Sequence, residues 1–339
     1  MRALCGTPGG GLSSARLMDI EAPEPGSGEV RVRVEAVAIN PADVKVLEWR
    51  DGGSFLHKKR TPLVVGYDLA GVVEKVGAGV TDRRVGDAVF GFVAYDTSTV
   101  LGSFAELVVV KSATLATRPA GWGAADAAAI ATGGSTALQG LRDCAGLTVG
   151  VPRTPPARVL VNGASGGVGL MAVQIAKTTG AEVWGSCSAG KMPLVLGAGA
   201  DHAVDYRESP VGTIKAEEAL VPFDVVFDAA STSNYHESVP NLAAGGTYVT
   251  LLPGLPLVTG KIASLFSSRR CDFVLVKPRT ADLDWLAASA LSGALKVRID
   301  ATYPFSDIRE ALARFRTGAA AGKIVVVMEG VTPSATATP

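Results

Sequence analysis

The sequence predicts an α/β protein in two parts: a strand-rich barrel or sandwich, then a doubly wound parallel sheet. Three observations carry this. Residues 1–125 hold short runs of period-two alternation separated by glycine turns, the pattern of half-buried antiparallel strands. From about residue 126 short apolar strands alternate with helical patterns, which gives right-handed crossovers and a sheet covered on both faces. The first of those strands runs into a glycine-rich turn that opens a helix, the local form of a phosphate-binding unit.

The elements follow in order. Met1–Cys5 and Arg16–Ile20 read as a first hairpin. Glu29–Ile39 alternates as EVRVRVEAVAI, and Ala70–Val76, Ala88–Phe92 and Phe104–Val110 are further β runs. Turn signals at Gly77–Gly79 and Gly86–Asp87 divide them, as a barrel or sandwich requires. Val159–Val161, Glu182–Ser186, His202–Asp205, Asp224–Phe227 and Thr247–Leu252 are the expected parallel strands. The helices between them are expected at Val168–Thr178, Lys191–Leu196 and Tyr235–Leu242. Two more helical segments, Asp282–Ser292 and Ser306–Arg314, precede a last strand at Lys323–Met328, expected to return to the first part. The tail Val331–Pro339 is polar and rich in Thr and Pro, so disorder is expected there.

Composition removes several function classes. Apolar residues make up 47% and charged residues 19%, which suits a packed core. Lys plus Arg (32) equals Asp plus Glu (32), so no basic excess points to nucleic acid. Cys5, Cys144, Cys187 and Cys271 lie too far apart for a CxxC site or disulfide framework, and a reducing compartment is expected. Three histidines, His57, His202 and His236, leave little for a histidine-rich metal centre. The uncharged stretches Val159–Ala176 and Ser238–Gly260 raise the question of a membrane span. Their glycines and prolines favour buried strands and turns. The N-terminus lacks a secretory apolar core; its arginines and serines faintly resemble a transit peptide, but the hairpin reading is preferred.

The strongest local signal is Arg158–Gly169, RVLVNGASGGVG. Gly163, Gly166 and Gly169 have G-x-x-G-x-x-G spacing, and Gly163, Ser165, Gly166, Gly167, Val168 and Gly169 are the candidate pyrophosphate binders. This chemistry needs bare backbone N–H groups at a helix N-terminus. The plainer reading is the turn of a sheet that binds nothing. The next strand ends in Cys187-Ser-Ala-Gly-Lys191, without the acid that holds a ribose 2′-hydroxyl in NAD sites. Ser188 and Lys191 suit a 2′-phosphate instead, and Tyr206 is placed to cover the adenosine edge, so NADPH/NADP⁺ is the expected cofactor.

With these residues in view, the chain resembles the zinc-free quinone oxidoreductase branch of the medium-chain dehydrogenase/reductase superfamily. The resemblance rests on VRVEAVAINPADVK (32–45), VGYDLAGVVEKVGAGV (65–80), VGDAVFG (85–91), GSFAELVVV (102–110), ASGGVGLMAVQIAK (164–177) and FDVVFDAA (223–230). LLPGLPLVTG (251–260) and GKIVVV (322–327) are similar to chloroplast-envelope quinone oxidoreductase homologues and alkenal/enone reductases. The 32–45 segment also resembles trans-acting polyketide enoyl reductases. The resemblance implies a GroES-like β-barrel from 1–126 and 281–330, a Rossmann NADP-binding domain at 127–280, and an active site in the cleft between them.

The resemblance further implies site residues. Asn40 and Tyr67 stand where zinc relatives carry Cys and His, and the third ligand position falls near Thr132–Ser135, so no metal is expected. Without a Lewis acid, reduction of an activated C=C bond remains, its enolate needing donors and a proton. Tyr67, Lys45 and Asn40 are the implied catalytic residues. Tyr67 either donates to the carbonyl oxygen or relays the proton, or else forms an aromatic wall, and Asn40 either faces the nicotinamide or the substrate carbonyl, or caps the helix begun at Pro41. Lys45 either binds the cofactor ribose hydroxyls or favours the enolate, or else lies on the surface. Asp43, Thr136, Leu251, Leu252 and Lys323 are implied cofactor neighbours. Thr136 reads alternatively as an N-cap, and Lys323 more readily as a solvated lysine. Asp68 is expected to organise the barrel and His57 to be exposed.

The function read from this is NADPH-dependent reduction of enones, enals or quinones without zinc. The alternatives are one-electron quinone reduction and a non-catalytic NADPH-binding role. Cytoplasm or plastid is the expected compartment. No integral membrane segment is expected; peripheral membrane association and a homodimer are left open.

Overall fold

The computed structural model describes residues 1–49, 56–216 and 219–331. The chain divides into two compact units, one of Met1–Ser135, Lys277–Leu291 and Val297–Pro339, the other of Thr136–Val276 and Ser292–Lys296.

In the first unit β1 (Arg2–Gly6), a short turn of helix α1 (Gly11–Ser14) and β2 (Arg16–Asp19) open the chain, and β1 pairs with β2 antiparallel. β3 (Glu29–Ala38) is the organising strand. Its Val30, Val32 and Val34 are buried while Arg31 and Arg33 face outward, as the alternation demands. Helix α2 (Pro41–Glu48) follows, with proline in its first turn, where a missing N–H costs nothing. Then come β4 (Leu63–Val64), β5 (Asp68–Val76), β6 (Ala88–Phe92), β7 (Leu107–Lys111) and β8 (Leu115–Thr117). β5 lies along one edge of β3 and β7 along the other. Helix α3 (Ala124–Gln139) carries the chain onward and widens into a π turn at Gly140–Cys144.

The second unit is built on β9 (Arg158–Asn162), α4 (Gly167–Lys177), β10 (Glu182–Cys187), α5 (Met192–Gly197), β11 (His202–Asp205), the hairpin strands β12 (Lys215–Ala216) and β13 (Ala219–Leu220), β14 (Phe223–Asp228), α6 (Tyr235–Ser238), β15 (Leu242–Thr250), α7 (Leu255–Ser264) and β16 (Arg270–Phe273). The sheet runs β11-β10-β9-β14-β15-β16 and every neighbouring pair is parallel. The strand order reverses between β9 and β14, the point at which such sheets bind ligands. The first unit is completed by α8 (Thr280–Leu291), β17 (Ile299–Pro304), α9 (Ile308–Arg316) and β18 (Lys323–Val327). β18 pairs with the end of β3, Val325 opposite Ala38.

Several expectations are corrected. The helix at Tyr235–Leu242 stops at Ser238, because Pro240 turns the next residues into a 3₁₀ turn, Val239–Asn241. β15 starts at Leu242 and ends at Thr250, so Leu251 and Leu252 lie beyond it, ahead of Pro253. Residues 255–264 form a helix rather than buried strand and turn, and Leu255, Val258 and Ile262 on it are exposed. β17 was not expected. Residues 332–339 of the expected disordered tail lie outside the described residues. Among the described residues, no helix is long and apolar enough to cross a membrane.

Candidate active site

At the reversal point of the second unit, β9 ends at Asn162 and the chain turns through Gly163–Gly166 into α4. Gly163 has φ +76°, and a side chain there would lie 2.7 Å from the Ala230 Cβ. Gly169 has no room either, since a Cβ would press into the Gly163 carbonyl oxygen. Gly166, the N-cap of α4, is different: a Cβ would meet only the Gly163 oxygen at 3.5 Å and otherwise open space. The turn is closed on its inner side and bare on its outer side, where the first N–H groups of α4 have no intrahelical partner.

A buried carboxylate ties the strand ends together. Asp228, at the end of β14, accepts from Asn162 Nδ2 at 2.8 Å, the Ser233 N–H at 3.0 Å and the Tyr248 hydroxyl at 2.9 Å. Burial nevertheless raises its pKa, the donors opposing the shift. Sequence reading passed over Asp228 as part of a family segment; an acid ending an apolar strand was the available signal.

After β10, Ser188 opens a 3₁₀ turn, Ala189–Lys191, closed by the Lys191 N–H on the Ser188 carbonyl at 2.8 Å. A carboxylate stands here after all, supplied by the next strand. Asp205 accepts from the Ala189 N–H at 3.1 Å and the Arg207 N–H at 2.9 Å. The Arg207 guanidinium lies 3.8 Å from Asp205 and 5.0 Å from the Tyr206 ring. Reading residues 186–188 alone could not find this pair.

The first unit gathers a buried polar cluster around Asp68. Asn40 Nδ2 donates to Asp68 Oδ2 at 2.8 Å and to the Ala38 carbonyl at 3.2 Å. Lys323 Nζ donates to Asn40 Oδ1 at 2.7 Å, to Asp68 Oδ2 at 3.0 Å and to the Ile39 carbonyl at 3.2 Å. The Thr132 N–H holds the other Asp68 oxygen at 2.8 Å. Lys323 is therefore not a solvated lysine: it is only 7% exposed and closes the network from β18. Asp43 accepts the Asn40 N–H at 2.6 Å, the returning half of a capping box, while the Asn40 amide turns to Asp68 and Lys323. Burial, with the Asp68 charge adding to it, lifts the Asp43 pKa well above the usual carboxylate range.

Tyr67 is fully buried beside this cluster. Its ring stacks on Tyr95, centroids 3.9 Å apart, and its hydroxyl donates to the Leu56 carbonyl at 2.8 Å. Burial raises its pKa far above that of an ordinary phenol. Lys45 lies one turn into α2 and is half-buried. Thr136 sits inside α3, not at a helix start, so the capping alternative fails. His57 is buried rather than exposed, its Nδ1 3.0 Å from the Lys58 carbonyl oxygen. The structure thus brings Asn40, Asp43, Tyr67 and Lys323 together in the first unit. It places the glycine turn, Ser188, Lys191 and Tyr206 at the strand ends of the second. Among the described residues, no three His, Cys, Asp or Glu side chains converge on a metal-sized site.

Comparison with known proteins places this geometry. Residues 26–120 match the alcohol dehydrogenase GroES-like domain and residues 198–326 the zinc-binding dehydrogenase family. Over 321 residues the chain is 33% identical to the chloroplast envelope quinone oxidoreductase homolog of Arabidopsis thaliana, covering 94% of this chain and 95% of that one. The chain belongs to the medium-chain dehydrogenase/reductase superfamily. It is also 32% identical to the NADPH-dependent alkenal/one oxidoreductase, chloroplastic, of the same plant, over 94% of this chain and 77% of that one. The solved quinone oxidoreductase of Coxiella burnetii superposes with a TM-score of 0.85 at 25% identity, covering 96% and 99% of the two chains.

Membership in the superfamily makes this chain an oxidoreductase with a nicotinamide cofactor, built of a GroES-like unit and a Rossmann-like sheet. The residues present fit that cofactor. The backbone left bare at Gly166, over the free N–H groups of α4, suits a pyrophosphate.

Proposed function

We propose that this enzyme reduces the C=C bond of α,β-unsaturated carbonyls, or quinones, with NADPH and without zinc. The observation that carries the reading is the Asp68 cluster. At the two positions where the resemblance puts zinc ligands stand Asn40, whose amide is committed to Asp68 and Lys323, and Tyr67, whose hydroxyl is committed to Leu56. The ammonium of Lys323, 2.7 Å from Asn40 Oδ1 and 3.0 Å from Asp68, already supplies a cation there, which argues against a divalent ion.

When bound, the cofactor supplies the hydride. The chain's part is to hold it and to steady the charge that forms on the substrate oxygen. Gly163, Ser165, Gly166, Gly167, Val168 and Gly169 take the pyrophosphate, and Ser188 and Lys191 the 2′-phosphate. Asp205 does not oppose this, since two amides and Arg207 meet its charge. Tyr206, Thr136, Leu251 and Leu252 complete the cofactor's surroundings. Hydride arrival at the β-carbon sends charge to the carbonyl oxygen, and a donor aimed there acts in the transition state. We assign Lys45, half-buried one turn into α2, to that oxygen. Asn40, Asp43 and Lys323 hold the end of β3 and the start of α2, and so position it.

The names of the relatives support quinones and alkenals as substrates and a plastid as compartment. The test is NADPH oxidation with a panel of short enones and quinones after chelator treatment. Turnover that survives, and that Lys45→Ala lowers at least about tenfold in kcat, is the expected result. Activity lost with one tightly held zinc per chain overturns the zinc-free reading.

A further inference from the structure

Thr132 stands midway along α3 and is only 5% exposed. Its hydroxyl is buried and, among the described residues, has no hydrogen-bond partner. Helical threonines commonly return the hydroxyl to a carbonyl one turn back. This chain does so at the ends of α4 and α9, where Thr178, Thr179 and Thr317 each reach the carbonyl three residues earlier at 2.7 Å. Thr132 does not, and its own N–H has turned to Asp68 Oδ1 at 2.8 Å. A buried hydroxyl left unpaired destabilises the fold that holds it, so the group calls for a partner from outside the chain.

Its polar neighbours in the Asp68 cluster are taken. Asp68 Oδ2 accepts from Asn40 and Lys323, the Asn40 oxygen accepts from Lys323, and the Tyr67 hydroxyl donates to the Leu56 carbonyl. Tyr95, three residues past β6, is different. Its ring is fixed by the stack on Tyr67 and by Phe92, centroids 6.1 Å apart. Its backbone is held by the Val93 N–H on the Tyr67 carbonyl at 2.9 Å and the Thr99 hydroxyl on the Ala94 carbonyl at 2.7 Å. The Tyr95 hydroxyl faces the Thr132 side chain closely enough to feel its dipole, yet no hydrogen bond closes on the Thr132 oxygen. Burial, with the Asp68 and Asp43 charges adding to it, raises the Tyr95 pKa far above that of an ordinary phenol, so this group gives a hydrogen bond and keeps its proton.

Given the reduction proposed above, we propose that the Thr132 and Tyr95 hydroxyls are two further catalytic donors, which hold the carbonyl oxygen of the enone or quinone between them. A carbonyl oxygen has two lone pairs, one for each donor. Hydride addition to the β-carbon of an enone turns the C=C–C=O system into an enolate with its charge on that oxygen. A proton from water then adds at the α-carbon, leaving the saturated ketone and NADP⁺. Hydrogen bonds to the oxygen strengthen as the charge arrives, and donors already fixed in a buried place need little rearrangement to meet it.

Thr132→Val keeps the shape of the side chain and removes the hydroxyl. The unliganded protein should keep or gain Tm, since no hydrogen bond is lost, and NADPH affinity in a fluorescence titration should hold. kcat for a short enone should fall at least about tenfold. Thr132→Ser should recover most of that kcat, and Tyr95→Phe, which keeps the stacked ring, should lower it as Thr132→Val does. Infrared spectra of the enone bound with NADP⁺ give a readout without turnover: the carbonyl stretch should be lowered by wild type and by Thr132→Ser, and less by Thr132→Val. A Thr132→Val protein with wild-type kcat and carbonyl stretch overturns the proposal. So does one that loses Tm and NADPH affinity together, as a structural hydroxyl would, and a Tyr95→Phe protein with wild-type kcat overturns the pair. If Lys45→Ala slows enone turnover and neither hydroxyl variant does, the two donors fall and the reduction stands; if wild type turns over no enone or quinone, both fall.

Discussion

Replacing Lys323 by Met should be among the most damaging single changes in the first unit. The ammonium meets Asp68 at 3.0 Å, Asn40 Oδ1 at 2.7 Å and the Ile39 carbonyl at 3.2 Å, with Lys323 7% exposed and Asp68 fully buried. Methionine keeps the length of the stem and removes the charge. Among the described residues, Asp68 then remains buried with the Asn40 amide and the Thr132 N–H against it. Stranding one member of a buried pair costs about 3–5 kcal/mol, whereas an exposed pair such as Lys75–Glu24 is screened by water and contributes little. At roughly 2–4 °C per kcal/mol for a unit of this size, the transition should fall by about 6–20 °C. Urea unfolding followed by circular dichroism gives the free energy directly. Lys323→Met/Asp68→Asn leaves no charge buried and should lose less than the single variant. A single variant that loses under about 1 kcal/mol would refute the buried pair, because its charges would then be screened by water.

Three further outcomes are expected. Lys191→Ala should weaken NADPH binding at least tenfold, about 1.5–3 kcal/mol for a charge-assisted contact, and leave NADH nearly unchanged in a fluorescence titration; equal losses would remove Lys191 from the 2′-phosphate. Gly166→Ala should keep the wild-type Tm and lose cofactor affinity, while Gly163→Ala should lower Tm, since its added methyl meets Ala230 at positive φ; the reverse pattern would contradict the cradle. Burial depresses the pKa of His57, so below its ordinary value of about 6.5 the unfolded chain takes up a proton that the folded chain refuses. Stability from this residue is fully present above that pH and is lost as pH falls; Tm of wild type should drop more than that of His57→Gln between about pH 7.5 and 5.5, and parallel curves would refute a buried neutral imidazole.

What the sequence made legible was local. The alternation of β3 and the turn between β9 and α4 are written in consecutive residues, so both were readable with their chemistry. The misreadings have physical causes. Lys323 meets Asn40 and Asp68 across 283 and 255 residues, and no window of sequence shows such a return. His57 precedes Lys58, Lys59 and Arg60, and their exposure suggested its own. Helix α7 was hidden because its apolar stripe faces outward, whereas periodicity is read on the assumption that apolar residues are buried. Asn40 and Tyr67 were located by resemblance, but only the side-chain geometry shows that their polar atoms are spoken for.

The central claim is hydride addition to an activated C=C bond, and isotope transfer tests it most directly. The full-length protein is incubated without oxygen with NADPH deuterated at the transferring position and a short enone, and the product is read by mass spectrometry and NMR. The account predicts the saturated ketone, one deuterium on the β-carbon and one NADPH consumed per product, unchanged by chelator. Deuterium on the carbinol carbon of an allylic alcohol, or binding of NADPH with no product from any enone or quinone, would contradict it.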